Sequence, residues 1–170
     1  METLSLSGVV PQRFSGLATG GVIEAGQAVL LTAADLAGFD PYALAPAGAL
    51  GLLVNAADAY EELPDDLERF SLINIHFDAF GDGRGFTLAR RLRRDAGFSG
   101  ELRASGPLMP DQTQYLARTG FDSLQLDDAK RIAAFKASLT RFSLFYQQAQ
   151  DDGVSVSRLR HPVDRDRKAS

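Results

Sequence analysis

The chain contains no cysteine and only two histidines, His76 and His161. Disulfides, thiolate catalysis, iron–sulfur clusters and cysteine-ligated zinc are thereby excluded. Two histidines are too few for a histidine-rich metal site, and no metal is expected. A basic excess is also missing: 18 Lys and Arg stand against 22 Asp and Glu, a net charge of −4. Nucleic-acid binding would leave a basic footprint, so none is expected. No stretch approaches the roughly 20 apolar residues of a membrane span. The start, "METLSLSGVVPQRF", has neither the basic opening nor the unbroken apolar centre of a secretory signal. The expectation is a cytoplasmic protein with no membrane partner.

What is present fits an ordinary globular domain, with 45% hydrophobic and 24% charged residues. At 170 residues, a single domain with a real core is expected. We place the α/β domain at residues 1–150 and a basic tail at 151–170. Arg158, Arg160, Arg165, Arg167 and Lys168 make the tail either a flexible segment or an arm for an acidic partner.

Apolar runs of strand length alternate with amphipathic stretches from Ala49 onward. "ALGLLVNA", "SLINIHF", "GELRASG" and "DSLQL" read as strands, and "GVIEAGQAVLLT" as an earlier one. Thr32 caps a short helix, "AADLAGF"; "DPYALAPAG" reads as a loop, and "PDDLERF" as a short helix. "GFTLARRLRRDAG" turns Phe86, Leu88, Ala89 and Leu92 inward and its arginines outward, with Gly97 as a stop. "PDQTQYLARTG" is a helix closed by Gly120. Residues 127–150 carry the longest helical signal, with Ile132, Phe135, Leu139, Phe142 and Phe145 as a stripe and Asp127 or Asp128 as the cap. The stripe suits packing on the sheet, and it also leaves a homodimer surface open. The pattern predicts an α/β fold with a mainly parallel sheet of about four to five strands, covered on both faces by helices. A flavodoxin-like and a half-barrel arrangement both satisfy it.

Ligands of open α/β sheets gather beyond the carboxyl ends of the strands. The loop "FGDGRGFT" would lie there, opening a helix. Helix N-terminal amides lack partners and carry partial positive charge. Glycines admit an anion close to the backbone, and a guanidinium grips an oxyanion bidentately. Gly83, Arg84, Gly85 and Thr87 are therefore anion-binding candidates, with Arg103 and Gln112 as neighbours and Asp82, Glu101 and Asp111 as supporting acids. The competing reading is structural. Asp82 would cap the helix, Arg84 would pair with Asp78 or Asp111, Asp111 and Gln112 would open the next helix, and Glu101 and Arg103 would be matched ions. Neither the phosphate loop nor the dinucleotide fingerprint is present, and no cofactor is evident. Asp58, Asp78, Asp82 and Asp111 have no spacing that marks a magnesium site. His76 reads as a core histidine needing a hydrogen-bond partner, and no histidine is evidently placed beside a serine.

Asp82 to Thr87 (D-G-R-G-F-T), Gly100 to Ala104 (G-E-L-R-A), Asp111 with Gln112, and Arg118 to Asp122 (R-T-G-F-D) follow one another across residues 50–126. This series resembles the signature of the bacterial family known as domain of unknown function 934. Pro107, Asp78 and Thr87 depart from it, standing where aspartate, proline and serine are common. Members are usually encoded beside assimilatory sulfite reductase and are often labelled probable oxidoreductases of sulfite reduction. The resemblance implies a role in sulfur assimilation and cysteine biosynthesis, with sulfite reductase or a small sulfur oxyanion as partner. An accessory protein is the leading expectation. The alternatives are an oxidoreductase-pathway enzyme acting on a small anionic or nucleotide substrate, and a non-catalytic interaction module.

Overall fold

A computed structural model describes residues 2–8, 11, 13–16, 23–38, 44, 47–149 and 155–160. The expected loop "DPYALAPAG", His161 and most of the basic tail lie largely or wholly outside these residues. The described elements are, in order, β1 (Glu2–Ser5), β2 (Ser15–Gly16), β3 (Ala28–Thr32), α1 (Ala33–Gly38), β4 (Ala49–Asn55), β5 (Leu72–His76), α2 (Arg84–Arg94), β6 (Glu101–Ser105), α3 (Thr113–Thr119), β7 (Ser123–Leu126), α4 (Ile132–Leu139) and α5 (Val156–Arg160).

The strands form one curled seven-stranded sheet in the order β1-β7-β6-β5-β4-β3-β2. All neighbours are parallel except β1, which runs antiparallel along β7. The five strands from β3 to β7 therefore step always in the same direction. A flavodoxin-like sheet reverses its order at a switch point, whereas this one never does. The arrangement is a half-barrel. Right-handed crossovers that keep one direction leave all their helices on one face, which corrects the expectation of helices on both. The sheet also has more strands than the four to five expected, because β1 and β2 are short and their sequence is weakly patterned.

The helix-facing side is apolar: Ile73, Ile75, Leu102, Ala104, Leu124 and Leu126 are buried there with Phe86, Leu88, Ala89 and Leu92 of α2. Phe77 joins the two layers, its ring 5.3 Å from Phe86 and 6.1 Å from Phe121. Each such tilted pair adds about 0.5–1.5 kcal/mol beyond burial. The opposite side is polar yet covered. Glu101, Arg103, Ser123 and Asn74 are all buried, and the Arg103 guanidinium lies 6.0 Å from the Phe14 ring.

Capping follows the residue chemistry. Thr32 Oγ1 accepts from the Asp35 amide while the Asp35 carboxylate accepts from the Thr32 amide, a reciprocal cap for α1. Asp128 accepts from the Lys130 amide and opens the turn before α4. Gly97 and Gly120 stop their helices at φ 63° and 105°.

Two helical expectations are corrected. "PDDLERF" yields one 3₁₀ turn, Leu67–Arg69; a second, Tyr60–Glu62, precedes the segment and is parted from it by extended Leu63, the residue before Pro64. The long helix over 127–150 ends at Leu139. Gln114 Nε2 donates to the carbonyls of Leu139 and Phe142, holding the chain in a turn instead of a continued helix. Of the expected stripe, Phe135 is fully buried, whereas Phe142 is 60% exposed.

Candidate functional site

The carboxyl ends of β4, β5 and β6 set Asn55, His76 and Ser105 side by side, because the three are register partners. Their side chains share one face, on the period of two. His76 Nδ1 lies 3.1 Å from Ser105 Oγ, and His76 Nε2 lies 3.8 Å from an Asp78 oxygen. Asn55 Nδ2 donates to the other Asp78 oxygen at 2.8 Å. A polar chain thus runs Ser105–His76–Asp78–Asn55 along the sheet end, with Ser105 buried and His76 half-exposed. This corrects the expectation that no histidine stands beside a serine. Such a row can bind a polar ligand or move a proton at the His76 ring. Sequence spacing hid it, since its members come from three separate strands. The signal available was a polar residue ending each of three adjacent apolar runs.

The glycine–arginine loop follows directly. Asp82 Oδ1 accepts from the Arg84 amide at 3.0 Å, which opens α2. The same carboxylate takes the Arg84 guanidinium in a two-pronged pair, Nε to Oδ1 at 2.9 Å and the terminal nitrogen to Oδ2 at 2.8 Å. The structural reading expected Asp78 or Asp111 as this partner; the loop's own aspartate takes the place. Asp82 occupies the position that an oxyanion would fill. The Arg84 side chain is nonetheless 66% exposed.

Its glycines differ from one another. A Cβ on Gly85 would lie 2.5 Å from the buried Phe77 ring, so that glycine is needed for packing of α2 on the sheet. Gly81 and Gly83 have open space around them and no positive φ, so neither packing nor conformation demands glycine there.

The remaining candidates are scattered. Gln112 is close to the loop: its Nε2 donates to the Phe80 carbonyl at 2.7 Å and its Oε1 accepts from the Met109 amide at 2.9 Å, tying the loops after β5 and β6 together. Asp111 is exposed beside it. Thr87 lies on the outer face of α2, in a hollow with Arg90, Arg91, Arg94 and Asp95. Glu101 and Arg103 are on the sheet face opposite α2 and are not neighbours of Arg84. They pair with each other at 2.7 Å, and Ser123 donates to the same Glu101 oxygen. Among the described residues, no group of three His, Asp or Glu side chains converges to hold a metal. No helix of the described residues is long and apolar enough to cross a membrane.

Several signature residues outside the loop also serve the fold. Arg93 donates to the carbonyls of Gly120, Phe98 and Gly100 and pairs with Asp122. Asp122 in turn accepts from the Leu102 amide at 2.9 Å. This bracket fixes the ends of α2 and α3 against the start of β6. Residues 51–156 match a family described as bacterial proteins of unknown function, DUF934. The chain belongs to that family. No curated protein and no solved structure matches it. In this DUF934 chain, Asp82 and Arg84 bond within their own loop, whereas Gly100, Leu102, Gly120 and Asp122 are tied together through Arg93 and the Asp122 carboxylate.

The pair at the head of α2 makes a titration prediction. The Arg84 hydrogen bonds, side chain first and then amide, lower the Asp82 carboxyl from 3.8 to about 2. Because the folded value is depressed, the stabilisation is complete above the ordinary value and is lost as pH falls from about 4 to 2. Carbon-detected NMR of the Asp82 carboxyl should show a midpoint near 2, moving towards 3.8 in Arg84→Ala. An unmoved midpoint would mean that the pair does not persist in solution.

Proposed function

We propose that this DUF934 protein is an accessory of assimilatory sulfite reduction that acts by docking on sulfite reductase. The pathway comes from the family resemblance, and docking from the surface. The observation that carries it is the segment after α4, where Phe142, Leu144 and Tyr146 are 60%, 50% and 76% exposed. Three large apolar side chains so close together in sequence are a candidate contact patch. The segment is also held in place: Arg118 donates to the Gln147 carbonyl at 2.6 Å and stacks on the Phe145 ring at 3.8 Å. The Val156 amide donates to the Phe145 carbonyl, joining it to α5. A held apolar segment binds with a smaller ordering cost than a loose one. With no cysteine in the chain, a thiol cannot carry electrons, which favours an accessory over an independent reductase.

A second reading, a small sulfur oxyanion held at Arg84, is favoured by the exposure of that guanidinium and the open backbone at Gly81 and Gly83. One experiment separates the two. Purified assimilatory sulfite reductase should bind the full chain with a dissociation constant of about 10 μM or below, about −7 kcal/mol. Phe142→Ser with Tyr146→Ser should weaken that binding at least roughly tenfold, the loss of about 1.4 kcal/mol. Absence of binding near 100 μM, together with a sulfite-induced rise in melting temperature that Arg84→Ala abolishes, would transfer the function to the oxyanion site.

A further inference from the structure

The outer face of α2 carries a feature that docking through the 142–146 segment does not use. A cavity of about 520 Å³ opens between α2, α3 and the segment 147–149. Arg90, Arg94, Tyr115, Arg118, Thr119 and Gln147 line it, and among the described residues no carboxylate does. Its volume falls within the roughly 300–1,000 Å³ of small-molecule sites.

The arginines of α2 divide into two kinds. Arg84 pairs with Asp82, Arg91 with Glu61 and Asp95, and Arg93 with Asp122. Arg90 and Arg94 have no ion-pair partner among the described residues. They stand at i and i+4, so their Cβ atoms are roughly 5–6 Å apart on one face. In a chain with more acidic than basic residues, two adjacent guanidiniums without a carboxylate partner among the described residues make this cavity a positive site. Guanidinium forks match the geometry of phosphoryl oxygens and bind them bidentately.

The other walls complete a pocket for more than bare phosphate. Tyr115 is 53% exposed, and its ring is supported by Phe86 at 4.8 Å. It offers a fixed flat surface beside the two cations. Arg118 builds the far wall through its bond to the Gln147 carbonyl and its stacking on Phe145.

We propose that this cavity binds a small molecule carrying two linked phosphoryl groups and a flat ring, with Arg90 and Arg94 on the phosphoryl oxygens and Tyr115 against the ring. An acidic protein segment is the competing occupant. The aromatic wall and a volume within the range of small-molecule sites favour the small molecule.

Adenosine diphosphate, pyrophosphate and adenosine are the probes, titrated calorimetrically into the full chain. Adenosine diphosphate and pyrophosphate should both bind, and adenosine roughly tenfold or more weakly than the diphosphate. Arg90→Gln with Arg94→Gln should weaken both anions at least roughly tenfold, as loss of charge-assisted bonds requires. Both arginines are exposed, so the fold should survive, as circular dichroism would verify. Tyr115→Leu should weaken the nucleotide and leave pyrophosphate unchanged. Equal binding by the double variant, or no binding of either anion to the native chain, would overturn the site. Loss of sulfite reductase binding in the double variant, with no nucleotide bound by the native chain, would overturn it in favour of an acidic protein surface.

Discussion

Arg103→Met lowers the unfolding free energy by about 3–5 kcal/mol, because it strands a buried carboxylate. Glu101 and Arg103 are 9% and 4% exposed, so water can replace little of what the substitution removes. Arg103 gives two bonds to one Glu101 oxygen, at 3.0 and 2.7 Å, and a third to Ser123 at 3.2 Å. Without the guanidinium, Glu101 keeps the Ser123 hydroxyl and loses its counter-charge. At this chain length the melting midpoint should fall by roughly 6–20 °C. Glu101→Leu combined with Arg103→Met removes both charges and should recover much of the loss, since an apolar replacement of a whole buried pair is often close to neutral. Urea unfolding of the two variants decides the matter. A single substitution costing under about 1 kcal/mol would show that water or another group compensates Glu101. The experiment also tests the anion-site expectation for Arg103, because a residue required by the fold needs no ligand to explain its presence.

The α/β class was legible because β4 to β7 are each apolar runs bounded by turn formers, and because α2 has an unambiguous inward stripe. Strand order was not legible. It depends on which side each crossover takes, and neither periodicity nor composition records that. The end of α4 was misread for a related reason. Phe142 and Phe145 continue the helical spacing, but Gln114 on α3 captures the carbonyls of Leu139 and Phe142, a tertiary contact that outweighs the local pattern. The short β1 and β2 gain their strand form only from their neighbours; Ser15–Gly16 has no intrinsic preference that would single it out.

At the site, local chemistry was legible and assembly was not. Asp82 as the residue that opens α2 follows from the loop alone; with only Gly83 between them it also takes the Arg84 guanidinium, which the sequence reading assigned to Asp78 or Asp111. Arg103 and Gln112 were grouped with Arg84 on the expectation of a shared sheet end. Gln112 does reach that loop, whereas the strand alternation puts Arg103 on the other face, beneath Phe14. The Ser105–His76–Asp78–Asn55 chain needed the register of three strands, which only the pairing supplies.

Gly106 links this chain to stability, and its replacement is the other large effect expected. Gly106→Ala should cost about 3 kcal/mol or more and should disturb His76. The residue has φ 107°, a conformation that L side chains rarely adopt, with strain of about 1–3 kcal/mol. A Cβ there would also stand 2.1 Å from the Phe77 carbonyl oxygen and 3.0 Å from its carbon. That obstacle cannot swing aside as a flexible side chain can. Phe77 is buried, its amide bonds to the Ser105 carbonyl at 2.9 Å, and its ring is wedged between Phe86 and Phe121. Relief must come from moving the backbone between His76 and Asp78 away from Ser105, which lengthens the His76–Ser105 contact. Calorimetric melting measures the first effect, as a fall of roughly 6–12 °C. Nitrogen-15 NMR of the His76 ring measures the second, as a change in tautomer balance relative to the native chain. Ser105→Ala removes the same hydrogen bond without the backbone clash. It should therefore reproduce the spectral change with little of the stability loss, separating the polar chain at the sheet end from the packing beneath it.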